Sequence, residues 1–85
     1  AINLARFAVA ASATHPAVLN AANEVLVDAF IAGEVPWLAI VDTVSSVVHE
    51  HEGVAHPSLE DIVAAQRWAN QRARELVRAG QWKDM

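Results

Sequence analysis

The sequence contains no cysteine and no tyrosine, and only three glycines, three prolines and one methionine. Without thiols there is no disulfide framework, no zinc ribbon and no cysteine nucleophile. Their absence also fits a reducing compartment, and a cytoplasmic location is the expectation. Basic residues are scarce: six Lys and Arg stand against ten Asp and Glu, for a net charge of −4. A nucleic-acid partner is not expected, because the basic footprint such binders carry is missing. Nor is a membrane partner expected, since no apolar run approaches the about 18 residues of a spanning helix. The chain opens Ala1-Ile2-Asn3-Leu4, with no basic segment leading into an apolar one, so no signal peptide is read there. What remains is rich in apolar residues: 54% hydrophobic against 19% charged. Typical soluble domains carry about 45–50% and about 25%. That balance excludes intrinsic disorder. In 85 residues it also implies one small domain with apolar surface left over for a neighbour, a piece of a longer protein.

Gly33, Gly53, Gly80, Pro16, Pro36 and Pro57 divide the chain into four segments, each opening on Pro or ending in Gly as helices do. Alanine, about a fifth of the residues, favours helix over strand. In the first segment, Ile2 to about Ala13, Ile2, Leu4, Ala5, Ala8, Val9 and Ser12 give a helical apolar face. Arg6 is its only charge, and burial on more than one side is expected. The second runs from Thr14-His15-Pro16 to Ala32 and stops at Gly33. Val18, Leu19, Ala22, Val25, Leu26, Ala29 and Phe30 recur at helical spacing, and Val27 and Ile31 widen the stripe almost all the way round. Such a helix is central. The third starts near Pro36-Trp37, with Trp37, Ile40, Val41, Val44, Val47 and Val48 on one face and Asp42, Ser45, Ser46 and His49 opposite. Its β-branched residues would suit a strand, but strict alternation fails and the run is too long for one. In the fourth, Ser58 and Asp61 form a capping box with Asp in place of the usual Glu. Leu59, Ile62, Gln66, Ala69, Ala73 and Leu76 mark a packing seam, and Gly80 ends the helix, with 81–85 as a frayed tail. The fold class expected is all-α: one domain over residues 1–85, an antiparallel up-down four-helix bundle with short loops.

Three constellations bear on function. His49, Glu50, His51, Glu52 and His56 have the composition of a metal site. Side chains two apart on a helix diverge by about 200°, however, so the plainer reading is a solvated helix end. Asn20, Asn23 and Glu24 sit at i, i+3 and i+4 on the most apolar segment, where Asn is a poor helix residue. They read either as a structural polar motif, a hydrogen-bonding patch that holds a neighbouring loop or helix end, or as a substrate contact; with no nucleophile or phosphate clamp nearby, the structural reading is the expectation. Arg67, Gln71, Arg74 and Arg78 make a stripe that reads first as a solvated face, with an acidic surface of another domain or a steadying of the bundle as the alternatives. Trp37, Trp68 and Trp82 are expected as core or interface anchors. No phosphate loop and no Ser/His/Asp arrangement stands out, so catalytic, cofactor-binding and metal-binding residues are all expected to be absent from this segment.

The run Pro16-Ala17-Val18-Leu19-Asn20-Ala21-Ala22-Asn23-Glu24-Val25 resembles the C-terminal domain of 1-deoxy-D-xylulose 5-phosphate reductoisomerase. Asp28-Ala29-Phe30-Ile31-Ala32-Gly33 is similar to the end of the same helix in that family. Pro57 to Ile62 and Ala64 to Ala69 are similar to its final helix. The resemblance implies a parent enzyme that rearranges and reduces 1-deoxy-D-xylulose 5-phosphate to 2-C-methyl-D-erythritol 4-phosphate in non-mevalonate isoprenoid synthesis. NADPH and Mg²⁺ or Mn²⁺ would be its cofactors, held by domains that precede this one. It implies further that this segment is a helical bundle with no catalytic residue, whose partner is the catalytic domain of the same polypeptide. A homodimeric parent is compatible with that reading. The rival reading is a freestanding helical interaction module with an apolar groove.

Overall fold

A computed structural model describes residues 2–80, and all its regular structure is helical: α1 (Ile2–Ala11), α2 (His15–Ile31), α3 (Ala39–Glu50) and α4 (Leu59–Ala79). The expected all-α class is thus observed, with no strand among the described residues. The tail expected to fray, with Trp82, lies outside them.

The second helix is the hub and packs against the other three. Its buried residues Val18, Ala22, Val25, Leu26 and Ala29 recur every three or four positions, the spacing that places side chains on one face. Against it, α4 presents Ala65, Ala69, Ala73 and Leu76. Three alanines in register let the two backbones approach closely, since interaxial distance follows the size of the side chains between them. From α3 come Ile40, Val44, Val47 and Val48. Leu26, Leu76, Val18, Val47 and Val48 are the largest apolar side chains sealed from solvent. Each stabilises the fold by about 1.5–3 kcal/mol through burial. The β-branched run of α3 adopts helix because packing on α2 outweighs its weak local preference.

Chain punctuation does much of the positioning. Gly33 has φ 80° and donates its N–H to Phe30 O at 3.0 Å, while the Glu34 N–H reaches Ala29 O at 2.8 Å. That pair of bonds is a Schellman closure of α2. Ser58 Oγ accepts the Asp61 amide at 3.1 Å and Asp61 Oδ2 accepts the Ser58 amide at 3.0 Å, so the expected capping box is present. Gly80 closes α4 in the left-handed conformation.

Three expectations need correction. The first helix is not buried on several sides: packed chiefly along α2, it buries Ala8 and half-buries Leu4, and Val9 stays 72% exposed. Residues 36–38 form a turn rather than the first turn of α3. Pro36 O and Trp37 O accept the amides of Ala39 and Ile40, and Trp37 projects outward at 68% exposure. The α4 seam runs through Ala65, Ala69, Ala73 and Leu76; Leu59 lies exposed in the first turn, and Gln66, next to Ala65, lies exposed at the rim of the groove between α2 and α4. The stripe of Arg67, Gln71, Arg74 and Arg78 is exposed, as a solvated face would be, and its arginines make no ion pair among the described residues. The cross-helix bond belongs to Arg72, whose Nε and Nη2 donate to Glu50 at 2.8 and 3.2 Å.

Candidate functional site

Two features stand out: a polar knot that ties the helix junctions together, and a pair of grooves on either side of Asn20.

The knot is built from the α1–α2 junction and the segment after α3. Where α1 ends, Ser12 Oγ accepts the amides of Thr14 and His15, both at 3.2 Å. With its lone pairs so engaged, the hydroxyl has its proton to give to His15 Nδ1, 2.6 Å away. Thr14, fully buried, accepts the Val54 amide at 3.1 Å through Oγ1, which also lies 2.8 Å from His51 Nε2. His15 is buried, and its ring stands 4.7 Å from that of His51. The His51 ring in turn packs 5.5 Å from Trp68 on α4, and Phe7 of α1 stacks on His49 at 4.3 Å. Every helix therefore contributes to, or borders, one hydrogen-bonded cluster. Burial is the main cause that lowers the pKa of His51. The neighbouring His15 lowers it further, and Glu52 opposes both. A neutral imidazole suits the site, because it can accept a proton from Thr14 where an imidazolium cannot.

Gly53 makes the close approach possible. Its φ is 85°, and a Cβ there would stand 2.5 Å from Ser12 Oγ and 2.7 Å from Ser12 Cβ. The histidine-rich stretch is thus only in part the solvated helix end expected of it: His49 and His56 are exposed, but His51 is half-buried in the knot. Among the described residues, no group of three or more His, Asp or Glu converges to hold a metal ion. Sequence reasoning missed Ser12, Thr14, His15 and Gly53. Their partners are up to 40 residues away, so no local pattern marks them. The available signal was the cluster of small and polar residues just before Pro16, which invites a side-chain-bonded turn.

Asn20, Asn23 and Glu24 are all exposed, and among the described residues none makes a side-chain hydrogen bond. They border two grooves instead. Between α1, α2 and α3 lies an apolar groove of about 210 Å³, floored by Leu19, Ile40 and Val44, with Asn20 and Asn23 at its lip. Between α2 and α4 lies a polar groove of about 440 Å³, where Asn20 and Glu24 face Gln66, Arg67 and Asn70. Asn20 stands on the ridge common to both. Exposed Val41 also lines the apolar groove, and Trp37, one turn ahead of it, meets Phe30 edge-on at 5.8 Å. Concave apolar surface with amides at its rim has the anatomy of a protein interface; Glu24 is the carboxylate that lines the polar groove, and it stands there without a second titratable carboxylate or imidazole among the lining residues.

Comparison with known proteins agrees with the fold and the motif. The family model described as the DXP reductoisomerase C-terminal domain matches residues 1–72. A 1-deoxy-D-xylulose 5-phosphate reductoisomerase from Symbiobacterium thermophilum is 50% identical over 74 residues, which cover 87% of this chain and 19% of that protein. The reductoisomerase of Beutenbergia cavernae is 50% identical over 84 residues, covering 94% of this chain and 21% of its own. That of Kitasatospora griseola is 48% identical over 80 residues, 91% of this chain and 21% of its own. The chain thus spans about a fifth of the length of these relatives. No solved structure matches it. No helix among the described residues is long and apolar enough to cross a membrane.

Proposed function

The chain belongs to the family of DXP reductoisomerase C-terminal domains, and from that premise we propose that it is the non-catalytic brace of a reductoisomerase polypeptide. The parent would convert 1-deoxy-D-xylulose 5-phosphate to 2-C-methyl-D-erythritol 4-phosphate with NADPH, in the cytoplasm and in the non-mevalonate route to isoprenoids. NADPH and the divalent cation, Mg²⁺ or Mn²⁺, would be held by the other four-fifths of the polypeptide. The described residues here offer neither a converging set of carboxylates and imidazoles nor a glycine-rich loop opening a helix. We read the four helices as an antiparallel up-down bundle, and a homodimeric parent is compatible with it.

The observation that carries this reading is the family match over residues 1–72. The domain's work is structural: a helical body, tied by the knot around Thr14, offers apolar surface to the catalytic domain and completes an interdomain interface. As a segment of 85 residues it should be inactive. The test is a fluorescence titration of this chain with NADPH, with and without Mg²⁺. The brace reading expects no saturable binding. Saturable binding at micromolar NADPH would contradict it.

A further inference from the structure

The apolar side chains that the fold leaves outside are unevenly distributed. On the outer face of α4 beyond Leu59, the exposed residues are charged, polar or alanine, among them Arg67, Gln71, Arg74 and Arg78. At the junction of α2 and α3, by contrast, Ile31 is 76% exposed, Trp37 68%, Leu38 80% and Val41 50%. Val41 joins this ridge to the apolar groove floored by Leu19 and Val44. Isolated exposed apolar residues are ordinary, but several gathered at one helix junction, with one of them lining an apolar groove, mark an interaction surface.

A second observation concerns Asn20 and Asn23. Asn costs helix stability in a helix interior, because its side chain competes for the backbone. Here neither residue caps a helix or bonds another described side chain, yet both stand at the lip of that groove. Amides that bond no other described side chain, at the rim of an apolar depression, have the anatomy of an interface, an apolar centre inside a polar border.

We propose that this α2–α3 face, from Trp37 through Val41 to the groove that Asn20 and Asn23 border, is where the catalytic part of the same polypeptide docks. The proposal rests on the brace reading and says which face performs it. The occupant follows from length: the relatives are about five times as long as this chain, so most of such a polypeptide lies outside it. An intramolecular partner needs no high intrinsic affinity, because tethering supplies a high effective concentration. Trp37 supplies the anchor, a large, rigid side chain of the kind that dominates interface energetics. Asn20 and Asn23 accept and donate to backbone groups of the docked segment, which fixes its register.

The experiment is hydroxyl-radical footprinting of the full-length polypeptide, each rate normalised to the urea-unfolded protein. Labelling of Trp37 is expected to fall to the level of half-buried Trp68 or below, while Leu59, 77% exposed on α4, stays near its unfolded rate. Trp37→Ser in the full-length protein is expected to lower its melting temperature by about 3 °C or more, and Leu59→Ser to leave it unchanged. Fast labelling of Trp37 alongside protection of Leu59 would overturn the proposal. Protection of Trp37 that disappears on dilution would assign the face to a second copy, and would also overturn it. A companion truncation separates the two claims. If removing residues 1–85 destabilises the parent while Trp37 labels freely, the brace stands and the docking face is wrong. If removal changes neither stability nor turnover, both fall.

Discussion

Replacing Gly53 by alanine perturbs the knot at its narrowest point, and Gly33→Ala supplies the control. Both glycines have left-handed backbone, with φ of 85° and 80°, so both variants take on the strain of placing an L side chain there, about 1–2 kcal/mol. Both recover about 0.4–1 kcal/mol from a less flexible unfolded chain. The difference lies in space. A Cβ on residue 33 meets nothing within 4 Å, whereas on residue 53 it stands 2.5 Å from Ser12 Oγ. Ser12 must therefore move away from the amides of Thr14 and His15 and from His15 Nδ1, losing bonds worth about 0.5–1.5 kcal/mol each. Gly33→Ala should cost about 1 kcal/mol and Gly53→Ala about 3 kcal/mol, out of a total stability of about 5–15 kcal/mol for a small domain. For a domain of this size those losses correspond to falls of about 4–8 °C and about 12–24 °C in melting temperature. Thermal unfolding followed by circular dichroism at neutral pH reads both. If Gly53→Ala melts within about 4 °C of Gly33→Ala, the close packing of residue 53 on Ser12 is wrong.

The same structure makes other demands. Thr14→Val keeps the volume but strands the Val54 amide and His51 Nε2; urea unfolding should show a loss of about 1–3 kcal/mol, and an unchanged midpoint would refute the knot. Thr43→Val should do the opposite. The Thr43 hydroxyl is buried with no hydrogen-bond partner among the described residues, so its removal is expected to raise stability by about 1 kcal/mol, and a loss of that size would show that the hydroxyl is satisfied. Acid should weaken the fold through His51. Its folded-state pKa lies below the ordinary 6.5, so the unfolded chain binds the proton more tightly. Its contribution is complete above pH 6.5 and declines as pH falls through the folded value, and His51→Gln should flatten the melting-temperature profile between pH 7.5 and 5 relative to the parent chain. Ser58→Ala removes half of the capping box and should cost about 0.5–2 kcal/mol by urea unfolding, whereas Arg72→Ala, at an exposed ion pair, should cost no more than about 1 kcal/mol.

The four helices were legible because local signals and burial agree. Pro16 at the start of α2, Gly33 and Gly80 at helix ends and Ser58 with Asp61 each act within a few residues, and the core of α2 keeps a three-four spacing throughout. The errors have a common physical origin. Periodicity says which residues share a face, not whether another helix covers it. Val9, Trp37 and Leu59 all sit at apolar positions of a valid helical pattern, and none of the described residues covers them. The knot was illegible for a different reason: Ser12, Thr14 and His15 find His51, Gly53 and Val54 only once the helices have packed. Asn20 and Asn23 were singled out because Asn is unusual inside a helix. The sequence could not say that their partner is absent from the rest of the described chain.

The most direct test of the account uses the full-length polypeptide and a version lacking residues 1–85, both assayed for NADPH oxidation with 1-deoxy-D-xylulose 5-phosphate and for thermal unfolding. A brace predicts that the intact protein turns over, and that the truncated one loses turnover together with several degrees of melting temperature. Full turnover at an unchanged melting temperature after truncation would contradict it.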